Sequence, residues 1–199
     1  MKSVKMWGFV LSVVLGVGQG IAWGDQIQIG APSYGGTGCP VGTAQAVLSP
    51  DASRVSILFD QFEVEAGGDL SQSLARKTCN VALPVHVPTG FQIGVPSAFV
   101  QVEGMLAKRA VARLSVDTFL ANLRGARVSK TWVGSRSIDE VVDTSLRQMM
   151  WSGCGEDVIL RVSVSATLNG VSSAESYLSV GVIYPGEALG GGIEIRQCH

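Results

Sequence analysis

Four cysteines, two histidines and two short carboxylate clusters are the side chains in this sequence whose types allow chemistry. The densest stretch is GTGCPVGT, Gly36 to Thr43, where glycines and threonines surround one Cys-Pro pair. A phosphate-cradling loop needs a Lys after its last Gly to reach the terminal phosphates, and Gly42 is followed by Thr43. A nucleophilic cysteine needs a base, usually His, to form the thiolate. His86 falls on the polar parity of an alternating stretch and His199 is the last residue, so neither is well placed to serve. No Gly-x-Ser-x-Gly elbow occurs, and no C-x-x-C or H-x-x-x-H spacing offers a zinc-type site. Asp139, Glu140 and Asp143, and Glu156 with Asp157, lack the alternating carboxylates and turn Gly of a calcium loop. They read as solvated surface. The sequence therefore assigns no catalytic residue, no metal ligand and no cofactor. One enzymatic alternative stays open, a secreted carboxylate-based hydrolase, because the two carboxyl groups it needs meet in space and not in sequence.

The cysteines read better as fasteners. Lys2 and Lys5, an apolar run from Met6 to Val17, and the small residues Ala22 and Gly24 have the form of a secretory signal over residues 1–24. That leaves one domain over residues 25–199. The apolar run is shorter than the ~20 residues a membrane helix needs, and no second run of that kind follows, so no membrane span is expected after cleavage. Cys39, Cys79, Cys154 and Cys198 then predict two disulfides formed in an oxidising compartment, extracellular or periplasmic. Four cysteines allow three connectivities. The sequential one is preferred: Cys39 with Cys79 closes a loop of about 40 residues, worth roughly 3–4 kcal/mol in the chain-entropy model, and Cys154 with Cys198 ties down the C-terminus. Without Lys2 and Lys5 the chain has 13 basic and 16 acidic side chains, too balanced to attract nucleic acid or an anionic membrane.

The elements that hold these residues are mostly strands. Asn80 to Val87 alternates with Val81, Leu83, Val85 and Val87 on one face, and Asp157 to Thr167 does the same with Val158, Leu160, Val162, Val164 and Ala166. Over Arg54 to Glu65 the apolar parity switches, from Val55, Ile57 and Phe59 to Phe62 and Val64. This predicts a β-bulge near Asp60 or a strand buried on both faces. Further strands are expected at Gln26–Gly30, Phe91–Val95 and Tyr177–Tyr184. Turns are expected at Ser49-Pro50-Asp51, Ala66 to Asp69, Pro88-Thr89-Gly90 and Pro185-Gly186, with Asn169-Gly170 as the strongest hairpin signal. Two segments fit helix as well as strand. Met105–Leu123 is rich in helix formers yet also alternates, and in Ser137–Trp151 a capping-box spacing of Ser137 and Glu140 precedes helical apolar intervals. Among the aromatic residues, Trp151 is expected in the core beside Cys154. Tyr34 and Trp132 are the candidates for a ligand-stacking surface.

Four separated segments carry a resemblance: GTGCPVGT (36–43), RKTCNVALPVHVPTGFQIGV (76–95), VEGM (102–105) and WSGCG (151–155). In this order they resemble the secreted family catalogued as domain of unknown function 4360, with Cys39, Cys79, Pro88, Gly90, Phe91, Trp151, Cys154 and Gly155 in the matching places. Thr78 stands where Asn is usual, and Gly153 where Pro is. The resemblance implies a small secreted all-β module stabilised by disulfides, which turns both ambiguous segments toward strand, and it supplies no functional residue. The fold expected is thus an all-β, single-domain antiparallel β-sandwich stapled by disulfides. The function expected is a non-catalytic module binding a glycan, an envelope component or a protein partner.

Overall fold

The computed structural model describes residues 27–48, 55–70, 72–94, 98–121, 123, 126–144, 149–170, 174–185 and 194–198. The expected signal segment, the Ser49-Pro50-Asp51 turn and His199 lie outside them. Among these described residues, fourteen strands form two six-stranded antiparallel sheets and one two-stranded ribbon. The first sheet runs β1 (Gln28–Ile29), β6 (Leu74–His86), β12 (Val158–Asn169), β9 (Val111–Leu120), β10 (Ala126–Val133), and β2 (Ser33–Gly35) also pairs with β6. The second runs β11 (Arg136–Asp143), β8 (Ala98–Leu106), β13 (Glu175–Pro185), β4 (Val55–Phe59), β3 (Ala44–Leu48), with β5 (Glu63–Gly67) also on β13. The ribbon is β7 (Phe91–Gly94) with β14 (Glu194–Gln197).

Alternation explains the layers. Val81, Leu83 and Val85 of β6, Leu160, Val164 and Leu168 of β12, and Leu114, Val116 and Leu120 of β9 are buried, while their sequence neighbours face out. Val64, Val100, Val102, Ile138, Leu178 and Val180 of the second sheet share one core cluster with Val81, Leu114, Val116, Val164 and Leu168. A smaller cluster, Leu83, Val85, Val87, Ile93, Leu120 and Leu160, lies where the ribbon takes over as the cover of the first sheet. The parity switch at Asp60 is an interruption: β4 and β5 both lie along β13, which shifts register between Val180 and Ile183. Ile57, Phe59, Phe62, Val64 and Ala66 are all buried, so the extra residue between Phe59 and Phe62 keeps one face on the core across the break.

Among their described residues both ambiguous segments are strand and turn with no helix; residues 122 and 145–148 lie outside the described residues. Met105 and Leu106 close β8, residues 107–110 turn, and β9 follows; Ser137 to Asp143 lies within β11. The capping-box spacing was misleading, because Ser137 points out while Glu140 is on the inward parity of the same strand. The hairpin expected at Asn169-Gly170 is also corrected. β12 and β13 belong to different sheets, and the chain crosses the sandwich there. Gly170 is needed for space: a Cβ on it would sit 2.6 Å from the Ala66 backbone. Pro88-Thr89-Gly90 does turn as expected, with Phe91 N–H donating to Pro88 O at 3.1 Å and Gly90 at φ 87°.

Two disulfides, Cys39–Cys79 and Cys154–Cys198, join Cα atoms 5.4 and 5.9 Å apart. The sequential connectivity is the one formed. The GTGCPVGT loop is therefore the docking point of the first bridge. A Cβ on Gly38 would fall 1.6 Å from the Phe62 ring, so glycine there lets the loop lie flat on the core. The Thr43 amide and hydroxyl both donate to Pro40 O, at 3.1 and 2.9 Å, closing the turn.

Candidate functional site

The outward residues of the first sheet form a broad face whose composition follows from register. At one end Pro84 lies opposite Ile159, and in the next rung Ala82, Arg161 and Phe119 align across β6, β12 and β9. Ile159 is 36% exposed. Beyond this apolar end come hydroxyl and amide rungs: Asn80, Ser163, Asp117 and Arg127, then Thr78, Ser165, Ser115 and Ser129. Cross-strand bonds fix them. Ser163 Oγ donates to Asn80 Oδ1 at 2.7 Å, Ser115 and Ser129 hydroxyls share a bond of 2.9 Å, and Arg76 Nε donates to Ser165 Oγ at 3.1 Å. Arg127 grips Asp117 with two bonds of 2.7 and 3.0 Å. Its guanidinium is pushed above its ordinary value, first by that hydrogen bond and then by the Asp117 charge.

The apolar end opens into two shallow depressions that share Asp157, Val158 and Ile159. The larger, about 340 Å³, is floored by Ile29, Pro84 and Ile159 and edged by Gln28 and His86. The smaller, about 210 Å³, lies between Leu120, Ile159 and the Ser152–Gly153 backbone. Asp157 organises the rim: Oδ1 is 2.7 Å from His86 Nδ1 and accepts the Val87 N–H at 3.0 Å. The backbone bond first, then His86, holds this carboxyl below its usual range against the opposing push of desolvation. With Nδ1 engaged, the second ring nitrogen of His86 is the one left to face a ligand.

The residues singled out from sequence are placed elsewhere. Trp132 is 1% exposed, so its ring offers no stacking surface, and its Nε1–H donates to Glu140 Oε1. Alternation along β10 turns Val128, Lys130 and Trp132 toward the second sheet, and Lys130 donates to the other Glu140 oxygen. Lys130's hydrogen bond leads the causes that keep Glu140 below its ordinary range. Tyr34 packs its ring against the core, and its hydroxyl accepts the Gly42 N–H at 3.2 Å, bracing the GTGCPVGT loop. Trp151 is covered by the Arg196 guanidinium 3.9 Å above its ring. All four cysteines are bridged, so none stands as a thiol beside His86. Among the described residues no group of three or more His, Cys, Asp or Glu is arranged to hold a metal. The residues sequence reasoning missed, Pro84, Phe119, Ile159 and Arg161, come together through three-strand register. Their one sequence signal is the outward parity of β6 and β12.

Comparison with known proteins adds lineage. The chain is 31% identical over 147 residues to a protein of Arthroderma benhamiae called "Uncharacterized secreted protein", covering 72% of this chain. The chain spans 60% of the length of that relative. Among solved structures it overlaps TmCBM61 in complex with beta-1,4-galactotriose at 9% identity and a TM-score of 0.32, covering 78% of this chain and 88% of the other. A TM-score that low carries neither a common fold nor a common ligand. The family model described as Domain of unknown function (DUF4360) matches residues 25–184, and the chain belongs to that family.

Proposed function

We propose that this chain is a secreted, non-catalytic β-sandwich module that binds a glycan of the envelope or the extracellular space on the outer face of its first sheet. Export rests on the signal-like residues 1–24, the two disulfides and the secreted relative. The observation that carries the binding reading is the pairing on one face of an apolar end with ordered polar rungs. Pro84, Ile159 and Phe119 suit the hydrophobic side of a sugar ring, and His86, Arg161, Asn80 and Ser163 suit its hydroxyls. The rungs are already held by cross-strand bonds, so binding orders few side chains and loses little entropy.

The hydrolase alternative needs two carboxyl groups across a cleft. Glu156 and Asp157 line the smaller depression, but they are adjacent in sequence and Asp157 is engaged by His86 and Val87. The binding reading is favoured on that ground. It is tested by affinity electrophoresis of the purified protein through gels containing soluble β-glucan, galactan or mannan. Retardation by one of them, weakened at least tenfold by Ile159→Asp or Arg161→Ala, is the expected result. Equal mobility in every gel, or retardation unchanged in both variants, removes the glycan from this face.

A further inference from the structure

Charge is sorted between the two sheets. The six strands of the first sheet contain Arg76, Lys77, Arg113, Arg127, Lys130 and Arg161 against one acid, Asp117. The six of the second contain Glu63, Glu65, Glu103, Asp139, Glu140, Asp143 and Glu175 against one base, Arg136. Register turns this into matching rungs. Across β6, β12, β9 and β10 one outward rung reads Arg76, Thr167, Arg113, Thr131. Across β5, β13, β8 and β11 another reads Glu63, Ser179, Glu103, Asp139. In both, two like charges flank a hydroxyl residue two strand spacings apart, about 10 Å.

The acidic rung is unfavourable as it stands. Glu103 lies directly opposite Asp139, and like charges in that position destabilise a sheet. Glu63 also has Glu65 and Glu175 as neighbours, and its carboxyl is held above its ordinary value by burial first and then by Glu65 and Glu175. Opposite charge brought to this face would relieve the repulsion. The first sheet of the same chain presents such charge at the same spacing. Four strand widths of each sheet, about 4.8 Å apart and about ten residues long, make a face of roughly 600 Å², the low end of what each partner contributes to a specific interface.

We infer that the outer face of the second sheet docks the outer face of the first sheet of another copy of this chain. The contact is head-to-tail: each copy keeps one free basic and one free acidic face, so association continues into open chains. The contact covers the same outer face that the glycan reading uses, so the two compete for it; mass measured in the absence of any sugar tests the contact separately from that reading.

Sedimentation velocity on the purified protein tests it. The weight-average mass should rise with concentration at about 20 mM salt and return to the monomer at about 300 mM, as screening shortens the reach of exposed charges. Two variants sharpen the result: Glu103→Gln with Asp139→Asn, and Arg76→Gln with Arg113→Gln. Each alone should stay monomeric, and an equimolar mixture should form a dimer and nothing larger, since one variant retains a working basic face and the other a working acidic face. A wild-type protein that remains monomeric at about 100 μM in low salt, or growth that is insensitive to salt, overturns the inference whatever the variants do. So does a mixture of two folded variants, checked by circular dichroism, that stays monomeric.

Discussion

The first sheet is fastened covalently within one of its strands, at Cys79 of β6, while Cys154 sits in the loop before β12 and is bridged to Cys198 after the ribbon. No described disulfide reaches a strand of the second sheet, which carries the interruption at Asp60 and the register shift in β13 instead. Their outer faces differ in the same sense. Arg127 with Asp117 and Arg76 with Ser165 are satisfied within the first sheet. On the second, Glu103 and Asp139 are left side by side. One layer is built as a rigid, internally satisfied platform, while the other retains repulsion that a complementary surface would remove. The two meet through shared apolar packing and, at one open edge, through a polar joint in which Glu140 of β11 accepts from Lys130 and Trp132 of β10.

Breaking that joint should give the largest effect. Trp132→Ala removes a fully buried indole and leaves a cavity, and should cost about 3–5 kcal/mol, read by urea denaturation. Nearly as large is Cys39→Ala with Cys79→Ala, which frees a loop of sequence separation 40 and should cost about 3–4 kcal/mol. If stability changes by less than a quarter of that, the first sheet owes its rigidity to its ladders and not to its bridge.

Two carboxylates of the second sheet then distinguish its inward polar joint from its outer face by sign. Glu140 has a lowered folded value, so its contribution is present above the ordinary value of 4.5 and is lost as pH falls through the lower folded one. Glu140→Gln should destabilise by about 1 kcal/mol at pH 7, and the difference from wild type should fade on acidification. Glu63 has a raised folded value. Relative to the unfolded chain, its favourable contribution exists below 4.5 and is lost as pH rises through the folded value. Glu63→Gln should therefore stabilise by a few tenths of a kcal/mol at pH 7, and that gain should vanish in acid. Melting curves of both variants from pH 3 to 8 check the opposed signs. Parallel behaviour would mean that the inward joint and the outer face of the second sheet do not differ electrostatically.

Much of this was legible in the sequence, and the failures share one cause. β6 and β12 announce themselves because a period of two, over 80–87 in one and 157–167 in the other, is hard to mistake, and the parity switch marked the break between β4 and β5. The disulfide pairing was a preference among three connectivities that sequence alone does not decide; the Cα separations of 5.4 and 5.9 Å decide it. Trp132 was misjudged because its strand places Lys130 on the same inward parity, which makes a buried face look solvated. The partner that makes Lys130 acceptable, Glu140, sits in the opposite layer and had been credited to a helix cap with Ser137. Pro84, Ile159 and Phe119 came together only through the order β6-β12-β9, which no local pattern encodes. The charge sorting was visible strand by strand, but its meaning depends on knowing which strands share a sheet.

The sorted charges have a consequence that the formal net charge of −1 hides. A near-neutral body with a positive and a negative side feels a torque near any charged boundary, at distances within the screening length. Against an anionic wall it should lie with its guanidiniums down and its carboxylates outward, and against a cationic support the other way up. Retention on both anion and cation exchangers at one pH would be the simplest sign of such orientation.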